Sequence, residues 1–226
     1  DEAKVGGQDA VARNAPRFRL AGVKEGSDDI RFRKQTDTPE FKRWFGDSKV
    51  VDADGKPLVV YHGTRAGTPV LVFEAGRSTV NSTTFGDIQT TRAGIFFSDN
   101  SQFSEQFGDV VQAVYLRIEN PAEVTRDLQL DFADTLDPHA ERDVWLLAKN
   151  AQQPWQLFDG ELGTRFVGFL KSKGYDGATF EEAVETSDTE HEGRTYVAFR
   201  PDQIKSATGN RGTFDPDNPD IRFKLP

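Results

Sequence analysis

Apolar residues in this chain fall into short runs whose period changes several times. Phe41, Trp44 and Phe45 recur at i, i+3 and i+4, the spacing of one helical face. Thr38 before them suits an N-cap, Pro39 the first helical position, and Glu40 the positive end of the helix dipole. Val50-Val51 and residues 58–61 flank a turn at Asp54-Gly55, which is a hairpin signal, and the second run leads straight into His62-Gly63-Thr64. Residues 74–93 are largely polar and read as a long loop. Ile95-Phe96-Phe97 reads as a strand, Asp99-Asn100 as a cap, and 101–108 as a short helix. Residues 110–118, β-branched and aromatic with partial alternation, read as another strand. Helices are expected at 140–150 and 163–173, the second stopped by Gly174, with short strands at 178–180 and 196–199. This order is α+β and lacks the regular βαβ alternation of a doubly wound sheet.

The two ends differ from the middle. Residues 1–36 are rich in Gly, Asp, Lys and Arg without a sustained apolar period, and 209–226 are rich in Pro and Gly. Both read as weakly ordered linkers flanking a domain at 37–208. Asp29-Ile30-Arg31-Phe32-Arg33 recurs as Asp220-Ile221-Arg222-Phe223-Lys224, with a looser echo at Pro16-Arg17-Phe18-Arg19. A joint repeated between modules accounts for this, and the absence of methionine, position 1 included, is expected of a piece of a longer polypeptide.

Composition narrows the chemistry. With no cysteine, disulfides, thiolate catalysis and Cys-ligated zinc are excluded together. A net charge of −9 argues against nucleic-acid binding through a generally basic surface. No stretch approaches the ~20 apolar residues of a membrane span, and no apolar signal-peptide core is present. Phosphate-loop, dinucleotide-fingerprint, zincin and nucleophile-elbow motifs are absent. The three histidines are His62, His139 and His191, and Glu190-His191-Glu192 reads as polar surface rather than a metal site.

His62 sits at the exit of an apolar strand. It reads either as a strand-end histidine satisfied by neighbouring backbone or as a donor to a ligand hydroxyl, with Gly63 admitting the ligand close to the main chain. Gly94-Ile95-Phe96-Phe97-Ser98-Asp99 forms a second patch, and Ser104 and Phe107 follow it at helical spacing. A hydroxyl beside an aromatic plane suits a flat heteroaromatic amide. Phe103 reads as core.

These patches resemble the ADP-ribosyltransferase superfamily, in its diphtheria-toxin and poly(ADP-ribose) polymerase branch. Tyr61-His62-Gly63-Thr64 is similar to that family's strand ending in His-Gly-Ser/Thr, and Gly94 to Asp99 to its Gly-Ile-Tyr-Phe-Ala/Ser-Asp, with Phe96 where the central Tyr stands. Counted on without a gap, Ser104 falls at the nicotinamide-binding Ser and Phe107 at the stacking aromatic. The run from Thr195 to Lys205 resembles the last strand and its exit. The opening Thr38 to Gly46, the turn Gly174-Tyr175-Asp176-Gly177 and the run Gln203 to Asn210 resemble, more narrowly, the ADP-ribosyltransferase modules of polyvalent proteins, long polypeptides of phages and mobile elements.

The resemblance implies two packed strand-rich sheets with a central cleft for NAD as co-substrate, and no metal. It implies that His62, Gly63, Thr64, Gly94, Ser104 and Phe107 bind NAD. Phe107 would stack on the nicotinamide, Ser104 and the Gly63 backbone would hold its carboxamide, and His62 would bond an adenosine-ribose hydroxyl. It further implies a monomeric module without membrane association, delivered to the bacterial host cytoplasm, which transfers single ADP-ribose units to a protein or nucleic acid. Water in place of that acceptor would make it an NAD glycohydrolase. The catalytic set read from the resemblance is His62, Phe96, Thr195 and Glu192. Thr195 stands where the family has its catalytic Glu, and it cannot supply the charge. Glu192 is the first candidate replacement, ahead of Glu181, Glu182, Glu185 and Glu190. A degenerate module that binds NAD or a partner protein is the reading without catalysis.

Overall fold

The computed structural model describes residues 19–20, 35–76, 79–82, 88–185, 190–210, 214–215 and 217–222. Helix α1 (Pro39–Phe45) starts where its sequence dictates. Thr38 Oγ1 accepts from Phe41 N at 3.2 Å, and Gly46, at φ 55°, ends the helix. Its apolar face is buried: the Phe41 ring lies 5.2 Å from Phe45, 5.0 Å from Tyr115 and 4.9 Å from Phe214. The hairpin after it is short, with a Val51–Pro57 bridge closed by Asp52 N donating to Lys56 O.

The strands are β1 (Arg19–Leu20), β2 (Val60–Thr64), β3 (Thr79–Ser82), β4 (Ile88–Thr91), β5 (Ile95–Ser98), β6 (Val110–Leu116), β7 (Pro121–Glu123), β8 (Gly177–Glu185), β9 (Glu190–Ala198) and β10 (Ile204–Ser206). Eight of them form one mixed sheet in the order β1-β6-β2-β5-β9-β8-β7, with β10 also on β6. The sheet's two halves meet at a narrow seam, where β2 and β5 share one register pair, Tyr61 opposite Ser98. The two sheets expected from the resemblance are therefore two halves of one hydrogen-bonded sheet. The remaining two strands, β3 and β4, pair in a separate ribbon within the stretch expected to be loop. Their Thr, Val and Ile content favours extended backbone, while a single apolar residue per strand hides it from a periodicity reading.

Helices α2 (Ser101–Glu105), α3 (Arg126–Ala133), α4 (Arg142–Asn150) and α5 (Gly160–Ser172) complete the layer structure. The helices α3 to α5 bury Phe132, Leu162, Phe166 and Leu170 against one face of the sheet, where Ala178, Phe180 and Val197 wait. On the other face Phe97, Val114, Tyr196 and Ile204 form a second cluster. Alternation along the strands sorts residues between these clusters. No helix among the described residues is long and apolar enough to cross a membrane.

Part of the segment beyond residue 208, expected as linker, enters the core. Phe214 and Ile221 are each 1% exposed. Ile221 N donates to Leu71 O at 2.9 Å, and Ser206 N to Ile221 O at 2.9 Å. The buried Lys205 ammonium donates to Asn218 O at 2.6 Å, and its pKa is lowered by desolvation. The C-terminal copy of the Asp-Ile-Arg repeat is thus seated between β10 and residues 71–72; the N-terminal copy lies outside the described residues.

Candidate functional site

Several of the expected site residues lie along the seam, His62 on the Phe97 face of the sheet and Gly63, Ser104, Phe107 and Thr195 toward the other. His62 lies on β2 just past the Tyr61–Ser98 pair, and its Nδ1 is 2.8 Å from Phe96 O on β5. The imidazole thus bridges the two halves where their backbone ladder stops. Its ring packs edge-on to Phe73 at 5.0 Å and tilted to Phe97 at 5.5 Å. Burial lowers its pKa from the ordinary 6.5, with the Phe96 carbonyl opposing, so near neutral pH the ring is uncharged. A carbonyl accepts, so Nδ1 carries the proton and Nε2 is a bare acceptor. Nε2 has no hydrogen-bond partner among the described residues. One nitrogen is therefore satisfied by backbone, as in the first reading of His62, and the other is left an acceptor rather than the donor of the second reading.

Helix α2 lies across β2 at this point. Asn100 caps it, accepting from Gln102 N at 3.0 Å and Phe103 N at 3.2 Å. Ser104 Oγ is buried, within reach of Tyr61 O at 3.2 Å and Asn100 O at 3.3 Å, and so fastens the helix to the strand. A Cβ on Gly63 would collide with the Ser104 carbonyl and come 3.2 Å from Phe107 Cβ. Gly63 is thus required by helix packing, beyond any ligand contact. Phe103 is buried as expected, whereas Phe107 is 47% exposed and touches Phe103 at 5.4 Å. Thr64 turns inward on the chain, its Oγ1 accepting from Ala66 N. Gly94, at φ 87°, enters β5 where a side chain would strike Val197.

Across the seam, Thr195 is opposite Ser98 and Val197 opposite Phe96. Phe96 packs edge-on to Phe158 at 5.4 Å, and the Arg92 guanidinium stands 5.0 Å above its ring. Arg92 Nε donates to the fully buried Asp159 at 2.8 Å. Thr195 is 2% exposed, and its Oγ1 donates to Glu182 Oε2 at 2.8 Å. Burial raises the Glu182 pKa, opposed by the Thr195 bond and the Arg92 charge. Glu192 pairs with Ala183 in the β8–β9 ladder, and its side chain lies outside the described residues. Sequence reasoning ranked Glu182 behind Glu192. The signal that finds it is alternation: Ala178, Phe180 and Glu182 share a face, and the first two are buried.

An open depression of about 490 Å³ lies beside the seam at the start of α2, lined by Tyr61, Asp99, Asn100, Glu181 and Arg194 among others. Arg194 is committed there, pairing with Glu123 at 2.8 Å and Glu181 at 2.6 Å.

A family model described as ADP-ribosyltransferase in polyvalent proteins matches residues 52–214, which is most of the chain. The chain belongs to that family. As an ADP-ribosyltransferase of this kind, it carries the seam, α2 and the whole β8–β9 ladder within the matched span. No curated protein matches it. Among solved structures, an anti-CRISPR protein is similar at 15% identity and TM-score 0.30, over 65% of this chain and 90% of its own. The mixed sheet with flanking helices is compatible with the ADP-ribosyltransferase architecture.

Proposed function

We propose that this domain is a NAD-dependent mono-ADP-ribosyltransferase acting on a host macromolecule, as an effector module of a phage or mobile element. Family membership supports ADP-ribosyl transfer, and ADP-ribosyltransferases take NAD as co-substrate. The observation that carries the ligand assignment is the contact of α2 with β2. It sets the half-exposed Phe107 against Gly63, the residue that follows His62 on β2. An aromatic face in water is a stacking platform for nicotinamide. His62 Nε2, held as an acceptor, accepts a hydrogen bond from an adenosine-ribose hydroxyl. Ser104, whose own proton goes to a main-chain carbonyl, has lone pairs left for the carboxamide NH₂. Gly63 contributes its main chain.

The test is incubation with NAD labelled in the adenosine half and a bacterial lysate, with nicotinamide release followed in parallel. Label that survives nuclease and is lost to protease identifies a protein acceptor, and the reverse a nucleic acid. Release without label transfer makes the domain an NAD glycohydrolase. NAD binding without release makes it a binding module, the reading that a threonine at position 195 favours. Phe107→Ala should lose most of the thermal shift that NAD gives, because the ligand stabilises only the folded form it binds. His62→Ala should weaken NAD by about 1–3 kcal/mol, the cost of leaving a buried ligand hydroxyl unpaired.

A further inference from the structure

Breaking a nicotinamide–ribose bond builds positive charge at the anomeric carbon, and a fixed negative group nearby lowers that barrier. Thr195 cannot supply one. Its hydroxyl, however, is not idle: it donates to Glu182 Oε2, which comes from the neighbouring strand β8. Phe180 is directly opposite Thr195, so Glu182, two residues on, projects from the same face of the sheet. Gly193 stands opposite Glu182, so no side chain of β9 covers the carboxylate. Its second oxygen, Oε1, has no hydrogen-bond partner among the described residues and is not among their fully buried unpaired atoms. One oxygen is thus anchored and the other free to accept. Across the seam, Ser98 lies opposite both Thr195 and Tyr61, so Thr195 is two strands, and Glu182 three, from β2, which carries His62 and Gly63.

We propose that Glu182 is the catalytic carboxylate of this site, supplied by β8 and oriented by Thr195 as a positioning residue. This rests on the NAD-dependent reading above. Oε1 accepts the 2′-hydroxyl of the ribose that bears nicotinamide. The C–N bond then breaks with its electron pair leaving on nicotinamide, and an acceptor lone pair forms the new bond at the anomeric carbon. The acceptor's proton passes to solvent, and Glu182 keeps its charge throughout. The catalytic charge has in effect moved one strand over, with a neutral hydroxyl left at its former address.

The experiment measures nicotinamide release and NAD binding on the whole chain. Glu182→Gln should reduce kcat by ~10²–10³-fold while binding NAD within a few-fold of wild type. Gln keeps the volume and can still accept from Thr195, so the fold is preserved. Thr195→Val should lower kcat more than it changes KM, and Thr195→Ser should restore it, because only the hydroxyl is at issue. Wild-type turnover with an equally active Glu182→Gln overturns the assignment and leaves the NAD reading standing. Glu192→Gln abolishing release while Glu182→Gln spares it does the same. Absence of release from wild type, lysate present, overturns the NAD-dependent reading itself and this assignment with it.

Discussion

Glu182 is costly to the fold at neutral pH. Its pKa is raised chiefly by burial, so the folded state holds its proton more tightly than the unfolded chain does. Stability from this group therefore falls as pH rises from the ordinary 4.5 through the raised value, and the penalty is full above it. Glu182→Gln removes the charge, so the variant should melt higher than wild type at pH 8, and the advantage should shrink toward zero near pH 4. Thermal unfolding at both pH values checks this, and a gain independent of pH would refute it. His62 carries the opposite sign. With its pKa lowered from 6.5, it keeps Nε2 as an acceptor across pH 7–8, so NAD affinity should be flat there and drop only on acidification well below 6.5. Titration calorimetry over that range reads it. Gly63 tests packing alone: Gly63→Ala drives a methyl into the Ser104 carbonyl and should cost about 1–3 kcal/mol in denaturant unfolding.

Among the elements, α2 is the one on which the proposed site depends. It is only 5 residues long, too short to hold itself, so its shape comes from the Asn100 cap and from Ser104 bonding to the strand beneath. Asn100→Ala should cost about 1 kcal/mol. It should also weaken NAD binding although Asn100 is given no ligand contact, because Phe107 loses its fixed place. Calorimetry on this variant and on Thr38→Ala, which loses a comparable cap on α1, separates the two effects: only the α2 variant should bind less NAD.

What could be read ahead of the structure follows from the same physics. α1 was legible because cap, proline and apolar period agree within eight residues, Thr38 to Phe45. The strand ending in His62-Gly63-Thr64 and the spacing from Gly94 to Phe107 were legible because they are local. The ribbon of β3 and β4 was not, since each strand carries a single apolar residue, Val80 or Ile88, too few to show a period. Strand β8 runs on past Phe180 into Glu181 and Glu182, where charge imitates a loop, and this set Glu182 behind Glu192. The contact of Glu182 with Thr195 depends on ladder register, which no single strand's sequence contains.

At the scale of the molecule, the unexpected feature is how far the interior reaches along the chain. Ile221 and Phe214 are single apolar residues in a Pro- and Asp-rich segment, with no period to mark them. A chain ending at residue 208 should lose the Ile221 bonds to Leu71 and Ser206 and leave Lys205 without its carbonyl partners. Ile221→Ala alone should cost about 2–5 kcal/mol, the range for emptying a packed aliphatic site. Chemical denaturation of both proteins checks it, and a 1–208 fragment as stable as the whole chain would return this segment to the status of a linker.

That clasp also sets a clock. The bridge between Val72 and Asp220 joins residues from opposite ends of the domain, and contacts so distant in sequence are slow to form. On a ribosome, the pocket around residues 71–72 must wait, unfilled, until almost the whole domain has been made. The strands, α2 and Phe107 can assemble before then, but the sheet edge at β10 stays open to other chains. Synthesis or re-entry from an unfolded state thus passes through a species whose strands and α2 are assembled and whose closure is unfinished. How quickly residues 218–222 arrive decides how long that species is exposed.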